Sequence, residues 1–172
     1  MGEIDLSISQ ALILAGGFGK RLGPVTTNLP KPLVNVAGQP FIFHLFKQLK
    51  NENFTEIIIL AGYKSNLFVD LIKNYKETGI KIKVIEQPSN FDTGARIVHA
   101  LSHLNDNFLL LYGDNYCGID IKKLIEAFNK KSKMLQLLAY EDLTNFSRPN
   151  LDIDNNSDVT IYDSERKNKN LK

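Results

Sequence analysis

Apolar residues in this chain recur in two patterns, short unbroken runs and stripes at helical spacing, and the two alternate. Ala11–Ala15 is an apolar run halted by Gly16 and Gly17, which predicts a buried strand running into a loop. Phe41, Ile42, Leu45, Phe46 and Leu49 then form a stripe behind Pro40, predicting a helix with Pro40 at its first turn. Thr55–Ala61 reads as a second buried strand closed by Gly62. The next helix carries Leu67, Phe68, Leu71, Ile72 and Tyr75, with Ser65 as its cap and Gly79 past its end. Lys81–Glu86 alternates lysine with Ile82 and Val84, as a half-exposed strand near a sheet edge does. Ile97, Val98, Leu101 and Leu104 predict a third helix, Asn107–Tyr112 a strand, Ile121, Leu124, Ile125 and Phe128 a fourth helix, and Met134–Tyr140 a fifth strand. Such alternation points to an α/β fold with a mostly parallel, helix-covered sheet.

Bulk properties narrow the class. With 172 residues, 43% of them apolar, the chain is expected to form one domain with a real core. A net charge of +2 with 23% charged residues provides no basic field for nucleic acid. Cys117 is the only cysteine, so no internal disulfide is expected and a reducing compartment fits. No leader pattern and no membrane-length apolar run is visible, and Leu6 stands where a myristoylation signal needs Ser or Thr. The expectation is a soluble cytoplasmic protein without a membrane or nucleic-acid partner.

The densest chemistry lies at the end of the first strand. Gly16, Gly17 and Gly19 let backbone N–H groups approach a bulky anion, and Lys20, Arg21 and Lys31 bring cations, with nothing acidic from Ala11 to Lys31. A Walker loop would need Ser or Thr after Gly19-Lys20, where Arg21 stands. A dinucleotide fingerprint would need a glycine at Leu22 and a helix starting there, which Pro24, Pro30 and Pro32 are expected to preclude. What remains is a strand, a glycine-rich polyphosphate loop and a basic, proline-punctuated segment.

Parallel sheets bind ligands beyond the carboxyl ends of their strands. Polar strand ends occur at Gly16–Arg21, at Gln87–Gly94 and at Gly113-Asp114-Asn115. Asp114 can hold a divalent cation with phosphate oxygens and water, or serve as an ordinary turn or cap aspartate; the residues alone leave both readings open. Gln87 can read a base edge through its amide. His99 and His103 share one face of a helix opposite its apolar stripe and read as solvated rather than metal-binding. Asp152, Asp154 and Asn156 mimic a calcium loop, but Ser157 stands where its glycine belongs, so Leu151–Ile153 and Val159–Ile161 read as a surface hairpin around a turn.

Leu14-Ala15-Gly16-Gly17-Phe18-Gly19-Lys20-Arg21-Leu22 together with Pro30-Lys31-Pro32 resembles the signature of the sugar-phosphate nucleotidyltransferases. The resemblance implies a Rossmann-like three-layer sandwich of the nucleotidyltransferase (GT-A-like) type. Its substrates would be a nucleoside triphosphate and a sugar 1-phosphate, its products a nucleoside-diphosphate sugar and pyrophosphate, and its cofactor Mg2+. It implies nucleotide binding by Leu14, Ala15, Gly16, Gly17 and Gly19, catalytic charge from Arg21 and Lys31, and magnesium at Asp114, which matches the family's strand ending in Gly-Asp. Thr93 and Gly94 match the family's base-recognising segment, to which Gln87 also belongs, whereas Asp92 and Ala95 stand where the family has glycines. The compact spacing is similar to enzymes acting on heptose or hexose 1-phosphates, with GTP as the nucleotide; a homo-oligomer is compatible with it. The transferase domain is assigned to residues 1–163 and a polar basic tail to 164–172. Family members run several tens of residues further, so the alternative is an incomplete or non-catalytic nucleotide-binding module.

Overall fold

The computed structural model describes residues 8–75, 79–131, 133–142, 144, 148–168 and 171, with the side chains of residues 20, 21 and 131 outside that description. Two compact units are distinguished along the chain, residues 1–125 and 126–172.

In the first unit, strands β1 (Gln10–Ala15), β4 (Glu56–Ala61), β5 (Lys81–Glu86) and β6 (Leu109–Tyr112) form a parallel sheet ordered β5-β4-β1-β6. β1 pairs β4 from Gln10↔Glu56 to Ala15↔Ala61, and β6 from Ala11↔Leu109 to Leu14↔Tyr112. A separate antiparallel pair, β2 (Asn35–Val36) and β3 (Gln39–Pro40), turns at Ala37 and Gly38, both with positive φ. Helices α1 (Phe41–Asn51), α2 (Ser65–Lys73) and α3 (Thr93–Ala100) provide the crossovers, and α4 (Ile121–Lys131) follows β6.

Because strand side chains alternate, β1 and β4 bury both faces. Ala11, Ile13, Ala15, Ile57 and Ile59 pack with Ile42, Phe46 and Leu49 of α1, Phe68 of α2 and Ile121 of α4. Leu12, Leu14, Ile58, Leu60 and Ile85 face the other way, toward Ala100, with Ile97 and Leu104 alongside. The result is the three-layer α/β sandwich anticipated above. β5 is an edge strand, as its alternation indicated, and of its residues only Ile85 is buried.

Several local expectations are corrected. Pro40 ends β3 and sits just outside α1 instead of in its first turn. Lys64, in the left-handed conformation, precedes α2, while Ser65 is helical and its hydroxyl donates to Glu86 at 2.5 Å. Val98 and Leu101 are exposed; α3 buries Arg96 and Ala100 instead. The prolines exclude an α-helix after the glycine loop but not 3-10 turns, which span Lys20–Thr26 and Lys31–Leu33, the first broken at Gly23.

The second unit contains the antiparallel hairpin β7 (Leu151–Ile153) and β8 (Val159–Tyr162), as expected; Asp154 Oδ1 accepts the N–H groups of Asn156 and Asp158 across its turn. No strand forms at Met134–Tyr140, where Met134, Leu135, Leu137, Leu138 and Tyr140 are exposed. Apolar composition makes a strand only if a neighbouring backbone pairs with it, and none of the described ladders includes this segment. Leu171, placed in the polar tail by sequence, is buried. Around Asp163, the N–H groups of Glu165 and Asn168 donate to its carboxylate, and such backbone donors hold its pKa below the ordinary value.

Candidate active site

The chain runs from β1 outward through β4 to β5, then crosses back to place β6 on the opposite side of β1. That reversal opens a crevice beyond the carboxyl ends of β1 and β6. A cleft of about 370 Å³ lies there, lined by residues from the β1 loop, the segment around Lys31, the start of α3 and the end of β6. Its volume suits a nucleotide-sized ligand.

The glycine loop forms one wall. Gly17 is open on its side-chain face, with no atom within 4 Å of where a Cβ would sit. Gly19 adopts φ +64, and a Cβ there would come within 3.0 Å of Thr26 Cγ2 and 3.2 Å of Lys31 Cβ. Thr26, itself buried, donates its hydroxyl to the carbonyls of Gly19 at 3.0 Å and Gly23 at 3.2 Å. Phe18 stacks obliquely on Tyr63 at 5.1 Å, and Tyr63 donates its hydroxyl to the Thr27 carbonyl at 2.6 Å. The loop is therefore held at both ends with its apex clear.

Lys31 and Asp114 meet across the cleft floor, with Lys31 Nζ 2.8 Å from Asp114 Oδ2 and their side chains 31% and 33% exposed. Gly113 makes this approach feasible: its N–H donates to the Leu14 carbonyl at 2.8 Å. A Cβ there would lie 2.9 Å from that oxygen and 3.1 Å from Pro32 Cγ. Beyond Asp114, Gln48 of α1 donates to the Cys117 carbonyl at 2.6 Å and pins the following loop.

Arg96 forms the back of the cleft and is 5% exposed. Its guanidinium donates to the Gly16 carbonyl at 3.3 Å, the Ser89 carbonyl at 3.2 Å and Gln87 Oε1 at 3.3 Å, while Gln87 Nε2 donates to the Arg96 carbonyl at 2.8 Å. Burial lowers the Arg96 pKa and the Asp92 carboxylate pulls it back up. The guanidinium passes so close to Gly16 that a Cβ there would fall 2.0 Å from Arg96 Cζ; at Gly62 it would fall 2.8 Å from Nη1.

Of the residues expected from sequence, Leu14, Ala15, Gly16, Gly17, Gly19, Lys31, Thr93 and Asp114 all line the cleft. Gln87 does not: it is 6% exposed and both ends of its amide are engaged by Arg96. Gly94 sits one residue beyond the lining, in the first turn of α3. Arg21 has its backbone in the 3-10 turn, but its side chain lies outside the described residues. Ser89, Phe91, Arg96 and Tyr112 line the cleft without having been singled out, as does Asp92, noted from sequence only as a departure from the family pattern. Asp92 caps α3, its Oδ1 accepting the Ala95 N–H at 2.7 Å. His99 packs edge-on against Phe91 at 5.7 Å. Among the described residues there is no cluster of three or more metal-ligating side chains.

A parallel sheet with a glycine loop, a cation and a carboxylate gathered at its switch point is the arrangement in which α/β domains bind ligands. The profile described as "Nucleotidyl transferase" matches residues 10–146, and the chain belongs to that family. It is 31% identical over 143 residues to D-glycero-alpha-D-manno-heptose 1-phosphate guanylyltransferase of Campylobacter jejuni, covering 83% of this chain and 63% of that enzyme. It is 34% identical over 126 residues to mannose-1-phosphate guanyltransferase of Aspergillus oryzae, covering 71% of this chain and 34% of that one. The chain thus spans less than two thirds of these relatives. The crystal structure of HddC from Yersinia pseudotuberculosis complexed with GMP-PN superposes with a TM-score of 0.73 at 27% identity, over 91% of this chain and 70% of that one. No helix among the described residues is long and apolar enough to cross a membrane.

Proposed function

We infer that this chain carries the nucleotidyl-transfer site of a cytoplasmic sugar-1-phosphate nucleotidyltransferase. The observation that carries this reading is the convergence of the open glycine loop, Lys31 and Asp114 on one cleft at the sheet's switch point. A phosphate oxygen of the sugar 1-phosphate attacks the α-phosphorus of a nucleoside triphosphate. The bond from the α-phosphorus to the bridging oxygen breaks, and its electron pair leaves with pyrophosphate. Such a reaction depends chiefly on positioning and on stabilising developing charge.

Each residue has a part in this. The N–H groups around Gly16, Gly17 and Gly19 cradle the triphosphate, and Arg21 adds charge on the departing pyrophosphate. Lys31, held among prolines, neutralises the α-phosphate and draws in the sugar phosphate at little ordering cost. Asp114 suits Mg2+, which commonly takes one or two protein carboxylates and completes its shell with phosphate oxygens and water. The bound cation would supply charge neutralisation on the phosphates. Lys31 Nζ lies 2.8 Å from the Asp114 carboxylate that would hold the cation, so the two groups would act side by side. The relatives' names support GTP as the nucleotide and a heptose or hexose 1-phosphate as acceptor.

The test is pyrophosphate release with magnesium across five triphosphates and a panel of hexose and heptose 1-phosphates. Release that requires one triphosphate together with one sugar phosphate supports the reading. Silence across the panel from a protein that binds triphosphate would reduce it to a binding module.

A further inference from the structure

The cleft has two chemically different ends. At one, Gly17 offers open backbone and Lys31 a cation, with the Asp114 charge answered at 2.8 Å. At the other, Ser89, Phe91, Asp92 and Thr93 line the wall. A triphosphate carries several negative charges; Lys31 offers it a cation, whereas Asp92 makes no ion pair among the described residues and is felt only electrostatically by Arg96 behind it, so the phosphates belong at the Lys31 end and the base at the Asp92 end. Phe91, buttressed by His99, adds an aromatic ring to that wall.

The polar inventory at this end is restrictive. Gln87, the amide that could both donate and accept, is withdrawn behind the wall with both its ends engaged. The Ser89 carbonyl is engaged by Arg96. Asp92 uses Oδ1 to cap α3, and no other described residue donates to its carboxylate. A carboxylate only accepts. Among the common bases, guanine alone presents two adjacent donors, N1–H and the N2 amino group, on one edge; adenine and cytosine place an acceptor beside their amino group, and uracil flanks one N–H with two carbonyls.

We propose that Asp92 is the base-selecting residue of this cleft, taking the N1–H and N2–H edge of guanine. This rests on the nucleotidyl-transfer reading and adds to it a named determinant. Asp92 therefore holds two tasks: one oxygen organises the first turn of α3, and the carboxylate as a whole selects the base.

The test is equilibrium binding of GTP, ITP and ATP, with magnesium, to the full chain and to Asp92→Asn, which can still cap the helix. ITP differs from GTP only in lacking the 2-amino group. The unmodified chain should bind GTP about tenfold or more tighter than ITP, the loss expected when one charge-assisted hydrogen bond is removed. In Asp92→Asn that preference should fall to within about threefold, and ATP should gain relative to GTP, because a carboxamide matches adenine's donor–acceptor edge. An unchanged GTP-over-ITP ratio in a variant that melts like the parent would overturn the assignment. So would a parent that prefers another base, although that result leaves nucleotidyl transfer standing. Failure of the parent to bind any triphosphate would overturn the transfer reading as well.

Discussion

Replacing Arg96 with alanine should cost the fold much more than an ordinary arginine substitution. The side chain is 5% exposed and bridges Gly16, Ser89 and Gln87. Its loss leaves Gln87 Oε1 without its donor in a buried position, at about 1–3 kcal/mol. The Gly16 carbonyl keeps a weak donor in the Tyr63 N–H at 3.4 Å and the exposed Ser89 can turn to water, so those two bonds contribute less, about 0.5–1 kcal/mol each. A total near 3 kcal/mol corresponds to a melting temperature lower by about 10 °C. Gly16→Ala should cost nearly as much, because its methyl group would fall 2.0 Å from Arg96 Cζ and expel the guanidinium; Gly16 has no left-handed φ to add strain of its own. The two costs are then one cost counted twice, and the double variant should melt close to Arg96→Ala alone. Calorimetric melting of the four proteins decides this. Additive losses, or a Gly16→Ala variant within about 2 °C of the parent, would refute the bridging role.

Three further outcomes are expected. Lys31→Ala should lower turnover about 100- to 1000-fold, as losing a preorganised charge stabiliser does, while triphosphate binding by calorimetry weakens less, by about tenfold for one lost charge-assisted hydrogen bond; near-normal turnover would remove its assigned role. Gly113→Ala should lower stability by about 1–3 kcal/mol in a urea titration, because its methyl group meets the Leu14 carbonyl at 2.9 Å and Pro32 at 3.1 Å; an unchanged midpoint would show that the β6 end has slack. Glu56 has its pKa held below 4.5, first by the hydrogen bond from Lys81 and then by that from Gln10. Its stabilisation is therefore complete above 4.5 and lost as pH falls through the lower folded value. Glu56→Gln should be less stable than the parent at pH 7, by up to about 1 kcal/mol, and the two should converge on acidification; parallel stability curves from pH 7 to 3 would contradict this.

The fold was legible because the strongest signals in the chain are also its deepest structure. Ala11–Ala15 and Ile57–Ala61 are unbroken apolar runs closed by glycine, and they became the two fully flanked central strands. The glycine loop, Lys31 and Asp114 were legible because each sits at a strand end or in a proline-fixed segment, where backbone topology alone brings them together. Arg96 was not legible: a charged residue on a helix is normally solvated, and its burial depends on space left by Gly16 and Gly62, both far away in sequence. A glycine at the end of each of two neighbouring strands was the available hint. Gln87 has the right chemistry to read a base, but local sequence does not reveal that Arg96 consumes its amide. Met134–Tyr140 has a strand's composition, and pairing is a property of the partner strand as much as of the segment.

The most direct measurement of the central claim is a crystal structure of the chain with magnesium and a non-hydrolysable GTP analogue. The expected result is a triphosphate lying over Gly16–Gly19, the metal on Asp114, and Lys31 Nζ moved from its 2.8 Å contact with Asp114 onto a phosphate oxygen. A nucleotide bound outside this cleft, or one bound within it while Lys31 and Asp114 remain paired with no metal on Asp114, would contradict the assignment.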